Sequence, residues 1–123
     1  GLSTEDAYRK GIAFNDELAR ADAQRLLGWT AETGYASDMP GTGRLTFALR
    51  TEDGQPVRDR IVTATFKRPV AEGIDFSATL NSDESGRYVA DITPPAPGQW
   101  DVRIEVSRPG APSYLVETRI WSK

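Results

Sequence analysis

Apolar residues change their spacing once along the chain. From Thr4 to Leu27 no proline occurs, and the spacing is helical. At 100° per residue, Ala7, Tyr8, Gly11, Ile12, Phe14, Leu18, Ala19 and Leu26 share one broad arc. Arg9, Lys10, Asp16, Glu17, Arg20 and Gln24 fall on the other side. Ser3 or Thr4 suits the N-cap, Glu5 and Asp6 suit the positive end of the helix dipole, and Gly28 suits the C-terminal stop. Glu5–Arg9, Asp6–Lys10 and Asp16–Arg20 are i,i+4 pairs in the favourable order, each worth about 0.2–0.5 kcal/mol. Asn15 sits inside the apolar arc, where its amide needs a partner or water. The pattern predicts an amphipathic helix within residues 1–28, a rod of roughly 36 Å at about 1.5 Å per residue.

From Trp29 onward the period is two. Leu45, Phe47 and Leu49 alternate with polar or small residues, as do Val62, Ala64 and Phe66, and then Ile74, Phe76, Ala78 and Leu80. The same alternation runs through Tyr88, Ala90 and Ile92, through Trp100, Val102, Ile104 and Val106, and through Tyr114, Val116, Thr118 and Ile120. A short strand near Glu32–Ala36 completes seven. Turn chemistry separates them: Glu52-Asp53-Gly54-Gln55-Pro56, Ser85-Gly86, Pro94-Pro95-Ala96-Pro97-Gly98 and Arg108-Pro109-Gly110. Short alternating strands at this spacing predict a mainly β chain. The expectation is a long N-terminal helix followed by a seven-stranded antiparallel immunoglobulin-like β-sandwich over residues 29–123, one structural unit. The final strand is apolar on both faces, because Leu115 and Trp121 lie opposite Tyr114 and Ile120. Either the amphipathic helix covers that outer face or another chain does.

Composition narrows the chemistry. The chain has 123 residues, a net charge of −3 and a mean hydropathy of −0.49, consistent with one domain able to bury a core. There is no basic block, so nucleic acid is not an expected partner. No run approaches about 18 apolar residues, the length a membrane helix requires. Histidine and cysteine are both absent, so neither a Ser-His-Asp nor a Cys-His arrangement can be built, and there is no thiolate. Lys10, Lys67 and Lys123 have no motif around them for a Ser–Lys dyad, and Gly41-Thr42-Gly43 reads as a plain loop without a following lysine. Asp83-Glu84 and Glu52-Asp53 read as solvated turn acids. Met39 is the only soft metal donor, and one thioether does not make a copper site. No catalytic residue, no metal ligand and no cofactor is expected, and the chain reads as a non-enzyme.

The aromatic residues point instead to contacts. Trp100 is in phase with the core of its strand, whereas Trp29 at the helix–strand junction reads equally as hinge packing or as contact surface. Tyr8 and Asn15 read equally as docking onto the strands or as binding a partner. The candidate partner-binding residues are Tyr8, Ile12, Asn15, Trp29 and Trp121. A carbohydrate-binding sandwich would need an exposed row of aromatics, and Trp121 with Tyr35 is too short a row.

The stretch Thr4-Glu5-Asp6-Ala7-Tyr8-Arg9-Lys10-Gly11-Ile12-Ala13-Phe14-Asn15 resembles the opening of the periplasmic part of the FixH family. Leu27-Gly28-Trp29, Gly54-Gln55-Pro56, Phe66-Lys67-Arg68-Pro69, Gly86-Arg87-Tyr88 and Pro97-Gly98-Gln99-Trp100-Asp101 are similar to its later landmarks, in the same order. The resemblance implies a bacterial inner-membrane protein whose single transmembrane helix ends just before Gly1, with these residues in the periplasm. It also implies a role in biogenesis of cbb3-type cytochrome c oxidase, beside a copper-transporting P-type ATPase. The expectation is a membrane-anchored assembly factor whose partners are oxidase subunits or the ATPase, with a homodimer through the N-terminal helix as a further partner mode. The alternative is a periplasmic copper-binding chaperone of immunoglobulin-like fold. The position of the N-terminal helix discriminates between a buried and a partner-facing role for its apolar arc.

Overall fold

The computed structural model describes residues 4–69 and 74–123, with described side chains beginning at Asp16 in the N-terminal segment. One helix, α1 (Thr4–Leu27), precedes seven strands: β1 (Thr30–Ala36), β2 (Gly43–Arg50), β3 (Ile61–Lys67), β4 (Phe76–Ser82), β5 (Tyr88–Ile92), β6 (Gly98–Ser107) and β7 (Tyr114–Ser122). Helix α1 stops at Gly28, whose φ of 70° is left-handed, with its N–H donating to the carbonyl of Arg25 at 3.2 Å. The expected Asp16–Arg20 pair is replaced by Arg20 with Glu17 at 2.7 Å, one residue closer in sequence. A second helical pair joins Arg25 to Asp22 at 2.9 Å. Tyr8, Ile12 and Asn15, and the pairs Glu5–Arg9 and Asp6–Lys10, lie outside the described side chains.

Every ladder is antiparallel, and the strand order is β1-β2-β5-β4-β3-β6-β7. Strand β4 turns the corner of the sheet. Its Phe76–Leu80 stretch pairs with β3, and Asn81 and Ser82 then pair with Val89 and Tyr88 of β5. Strand β1 approaches β7, so the sheet is nearly closed. An odd number of strands that alternate in direction leaves its two ends running the same way, so β1 and β7 approach each other in parallel without a ladder between them among the described residues. Trp29 beside Tyr114 and Gly41 beside Lys123 mark the two ends of that parallel seam.

The alternation read from the sequence sets the core. Leu45, Phe47, Leu49, Val62, Ala64, Phe66, Leu80, Tyr88, Ile92, Trp100, Val102, Ile104, Val106 and Ile120 are buried together. Each fully buried side chain of this size contributes about 1.5–3 kcal/mol relative to exposure. Two boundaries differ from the pattern. Strand β1 begins at Thr30 rather than Glu32, because its ladder with β2 continues back to the pair Thr30↔Arg50. Strand β4 begins at Phe76, leaving Ile74 outside it and 38% exposed, because the ladder to β3 ends at the pair Phe66↔Phe76.

Candidate docking site at the helix–strand junction

Strand β7 ends the sheet order, so among the described residues one side of its backbone forms no ladder with another strand. Unpaired edge groups invite association unless they are covered. Here the cover is a side chain. The Gln24 amide nitrogen donates to the Leu115 carbonyl at 2.7 Å, and the Leu115 N–H donates to the Gln24 carbonyl oxygen at 2.8 Å. A carboxamide carries the same donor and acceptor as a peptide group, so Gln24 substitutes for a neighbouring strand residue. Arg20 orients it, donating from Nη1 to the same Gln24 oxygen at 2.8 Å and from Nη2 to Glu17 at 2.7 Å. The Arg20 hydrogen bond first, partly opposed by desolvation and helped by the charges of Arg20 and Arg103, holds the Glu17 carboxyl below its usual range.

Helix α1 therefore meets the sheet through the side that the sequence pattern marks as polar. Arg20, Ala23, Gln24 and Leu27 face the cleft, while Leu18 and Leu26 on the apolar arc are 50% and 82% exposed. Of the two covers open to the outer face of β7, the apolar arc of the helix is not the one along its described part. At this contact the hydrogen-bonding demand of an open strand edge decides the orientation. Trp121, the other apolar residue on the outer face, stays 64% exposed.

Between the helix and the β6–β7 connection lies a cleft of about 280 Å³. Its floor is aromatic: the rings of Trp29 and Tyr114 lie 5.5 Å apart at 34°, and the Tyr114 hydroxyl donates to the Trp29 carbonyl at 3.4 Å. Burial pushes the Tyr114 hydroxyl above its ordinary pKa. Val106, Ala111 and Pro112 supply apolar wall, and Arg20, Arg60 and Arg108 supply positive charge. Arg60 donates to the Arg58 carbonyl at 2.7 Å, and among the described residues neither Arg60 nor Arg108 forms an ion pair. The Nε of Arg20 is buried without an acceptor among the described residues. The structure thus places Trp29 in a recess, half-buried, and Trp121 on the open surface, well apart in their surroundings. Gln24, Arg60 and Arg108 carry no site signal in the sequence, since polar residues outside the strands read alike whether they meet water or protein, and Tyr114 reads only as an alternating position of the last strand.

A broader depression of about 850 Å³ lies over β3, β6 and β7. Lys67, Asp101, Arg103, Glu105, Glu117 and Arg119 line it with alternating sign, and Arg119 pairs with Asp101 at 2.7 Å. Such a balanced surface favours neither anion nor cation. Among the described residues no three carboxylates converge as metal ligands would, and Met39 stands 63% exposed in the β1–β2 turn.

The sequence landmarks meet in pairs. Arg68 lies over the Trp100 ring, 4.9 Å from its centroid, and donates to the Gln99 carbonyl at 2.9 Å. Gly98 has a φ of 108°, and a Cβ there would sit 3.1 Å from the Arg68 guanidinium. Tyr88 donates to the Val57 carbonyl at 2.9 Å, and a Cβ on Gly86 would meet Pro56 at 3.0 Å. Two landmark pairs, one at each place, are thereby explained as packing rather than chemistry.

The fold is mainly β, seven antiparallel strands in a nearly closed sheet with one helix, and is shared in outline with a solved structure. The crystal structure of a Br derivative of BhCBM56 is similar with a TM-score of 0.51 and 12% identity, covering 74% of this chain and 90% of that one. At that identity the likeness concerns the fold alone. The chain belongs to the FixH family, which matches across residues 1–121. That family is linked to cbb3 oxidase assembly and nitrogen fixation and is membrane-associated in bacteria. No curated protein matches the chain. No helix among the described residues is long and apolar enough to cross a membrane.

Proposed function

We propose that this chain is the periplasmic, non-enzymatic part of a membrane-anchored assembly factor for cbb3-type cytochrome c oxidase, acting beside a copper-transporting P-type ATPase. Family membership over nearly the whole chain is the observation that carries the reading. The chemistry of the residues supports it: without imidazole or thiol, the chain has few means of proton transfer at neutral pH or of soft-metal capture. The strands on either side of the β4 corner read as the two layers of an immunoglobulin-like sandwich, a rigid platform that presents helix α1, Trp29 and Trp121 to oxidase subunits or the ATPase. Contacts of this kind rest on apolar and aromatic surface, given a net charge of only −3.

The test is deletion of the gene from its host, followed by native gel electrophoresis of the membrane and an oxidase assay. Loss of assembled cbb3 oxidase, restored by the full-length protein, is the expected result. An intact oxidase in the deletion strain ends the reading. Sub-micromolar copper binding by a single copy of the purified chain would replace it with a copper chaperone.

A further inference from the structure

We propose that the cleft between α1 and the β6–β7 connection receives the C-terminal residue of a partner protein, with its free carboxylate on the arginines and its apolar side chain on Trp29 and Tyr114. This rests on the assembly-factor reading and names the surface and the partner chemistry that reading leaves open. Three observations select this occupant. The first is charge: Arg20, Arg60 and Arg108 border one recess in a chain whose net charge is −3. Glu17 pairs with Arg20, Glu105 accepts from Ser113 at 3.1 Å, and no ion pair among the described residues involves Arg60 or Arg108. The buried Arg20 Nε still lacks an acceptor among the described residues.

The second observation is composition. Cations and an aromatic floor adjoin within one small space. At a chain terminus, carboxylate and side chain branch from one carbon, so both reach such a space together. An internal acidic residue carries its charge at the end of its side chain and brings no apolar group of its own. Guanidinium groups suit the carboxylate because they offer paired, parallel donors. The third observation is size. Sites for drug-sized ligands span roughly 300–1,000 Å³, so a cleft of about 280 Å³ holds one side chain and its carboxylate, not a whole lipid.

The probe is N-acetyl-Ala-Ala-Phe with a free C-terminal carboxylate, titrated into the purified chain while the Trp29 indole and Tyr114 ring resonances are followed by NMR. The same peptide ending in a carboxamide is the control. Saturable shifts at both rings at millimolar peptide are expected, with the amide at least roughly tenfold weaker. A double variant, Arg60→Gln with Arg108→Gln, binds at least roughly tenfold more weakly at an unchanged melting temperature. Arg20 is left intact because it orients Gln24. Equal affinity of acid and amide, an unchanged affinity in the double variant, shifts confined to another face or no saturable shift overturns the proposal. Failure of this titration leaves the role in oxidase assembly to the deletion strain. An intact oxidase in that strain, conversely, leaves the titration result standing.

Discussion

The ring of Tyr35 on β1 lies over Gly43 at the start of β2, where a Cβ would overlap it. Its hydroxyl is buried with no hydrogen-bond partner among the described residues. A buried polar atom without a partner costs about 1–3 kcal/mol, whereas the ring itself packs favourably. Tyr35→Phe should therefore leave stability unchanged or raise it by up to roughly 1–3 kcal/mol in urea denaturation. Gly43→Ala should lower it by about 1–3 kcal/mol, because the added methyl displaces the ring. Asp83 shows a second residue-scale effect. Its carboxylate accepts from the Ser85 hydroxyl at 2.7 Å, the Ser85 N–H at 2.9 Å and the Arg87 N–H at 3.0 Å, closing the β4–β5 turn. The Ser85 hydroxyl bond first, then the backbone donors and the Arg87 charge, hold the Asp83 carboxyl below its usual range. A carboxyl depressed in the folded state stabilises above its unfolded pKa, and that contribution is lost as pH falls through the folded one. Asp91, held down by its bond to Arg44 at 2.8 Å, acts in the same direction. In thermal melts across the acid range, Asp83→Asn should flatten the fall in melting temperature; an unchanged slope would remove Asp83 from this account.

At the scale of elements, the seam between β1 and β7 is the weak line of the sheet. Leu115 spends its N–H and C=O on Gln24 rather than on β6. By the period of two, Glu117, Arg119 and Trp121 present their backbone groups to the same side. The Lys123 carbonyl follows that phase and accepts from Gly41 N–H at 3.3 Å, fastening the far end. Hydrogen exchange should show the Glu117 and Arg119 amides opening faster than that of Thr118. In Gln24→Ala, the Leu115 amide should lose its protection while the core strands keep theirs, because each lost bond is worth only about 0.5–1.5 kcal/mol net. Equal protection at Leu115 with and without Gln24 would show that the helix is held by something else.

For the molecule as a whole, Trp100 joins β6 to β4 and to the segments before β6 and after β3. It is fully buried on β6, stands edge-on to Phe76 at 5.1 Å, carries Arg68 over its face and donates to the Ala96 carbonyl at 3.0 Å. Phe76 in turn stacks on Phe66 at 4.3 Å. Trp100→Ala should cost about 3–5 kcal/mol, a large part of the roughly 5–15 kcal/mol that holds a domain folded. Its chemical denaturation midpoint should fall accordingly.

The period-two pattern locates the seven strands and most of their inward residues, because a strand buries alternate positions whatever its neighbours are, but not the starts of β1 and β4. It also separates Trp100, in phase with the core, from Trp121, out of phase. A glycine able to take positive φ ends the helix at Leu27 for an equally local reason. Strand order, the turning of β4 and the direction of β1 against β7 rest on long-range pairings that no local pattern encodes. The side of α1 that meets the sheet was decided there too. Its apolar arc is the evident docking face when the helix is considered alone, yet an open β7 edge needs a donor and an acceptor, and Gln24 has both. The arginine-lined cleft exists only because that contact, the Trp29–Tyr114 pair and the β6–β7 connection come together in space from segments far apart in the chain.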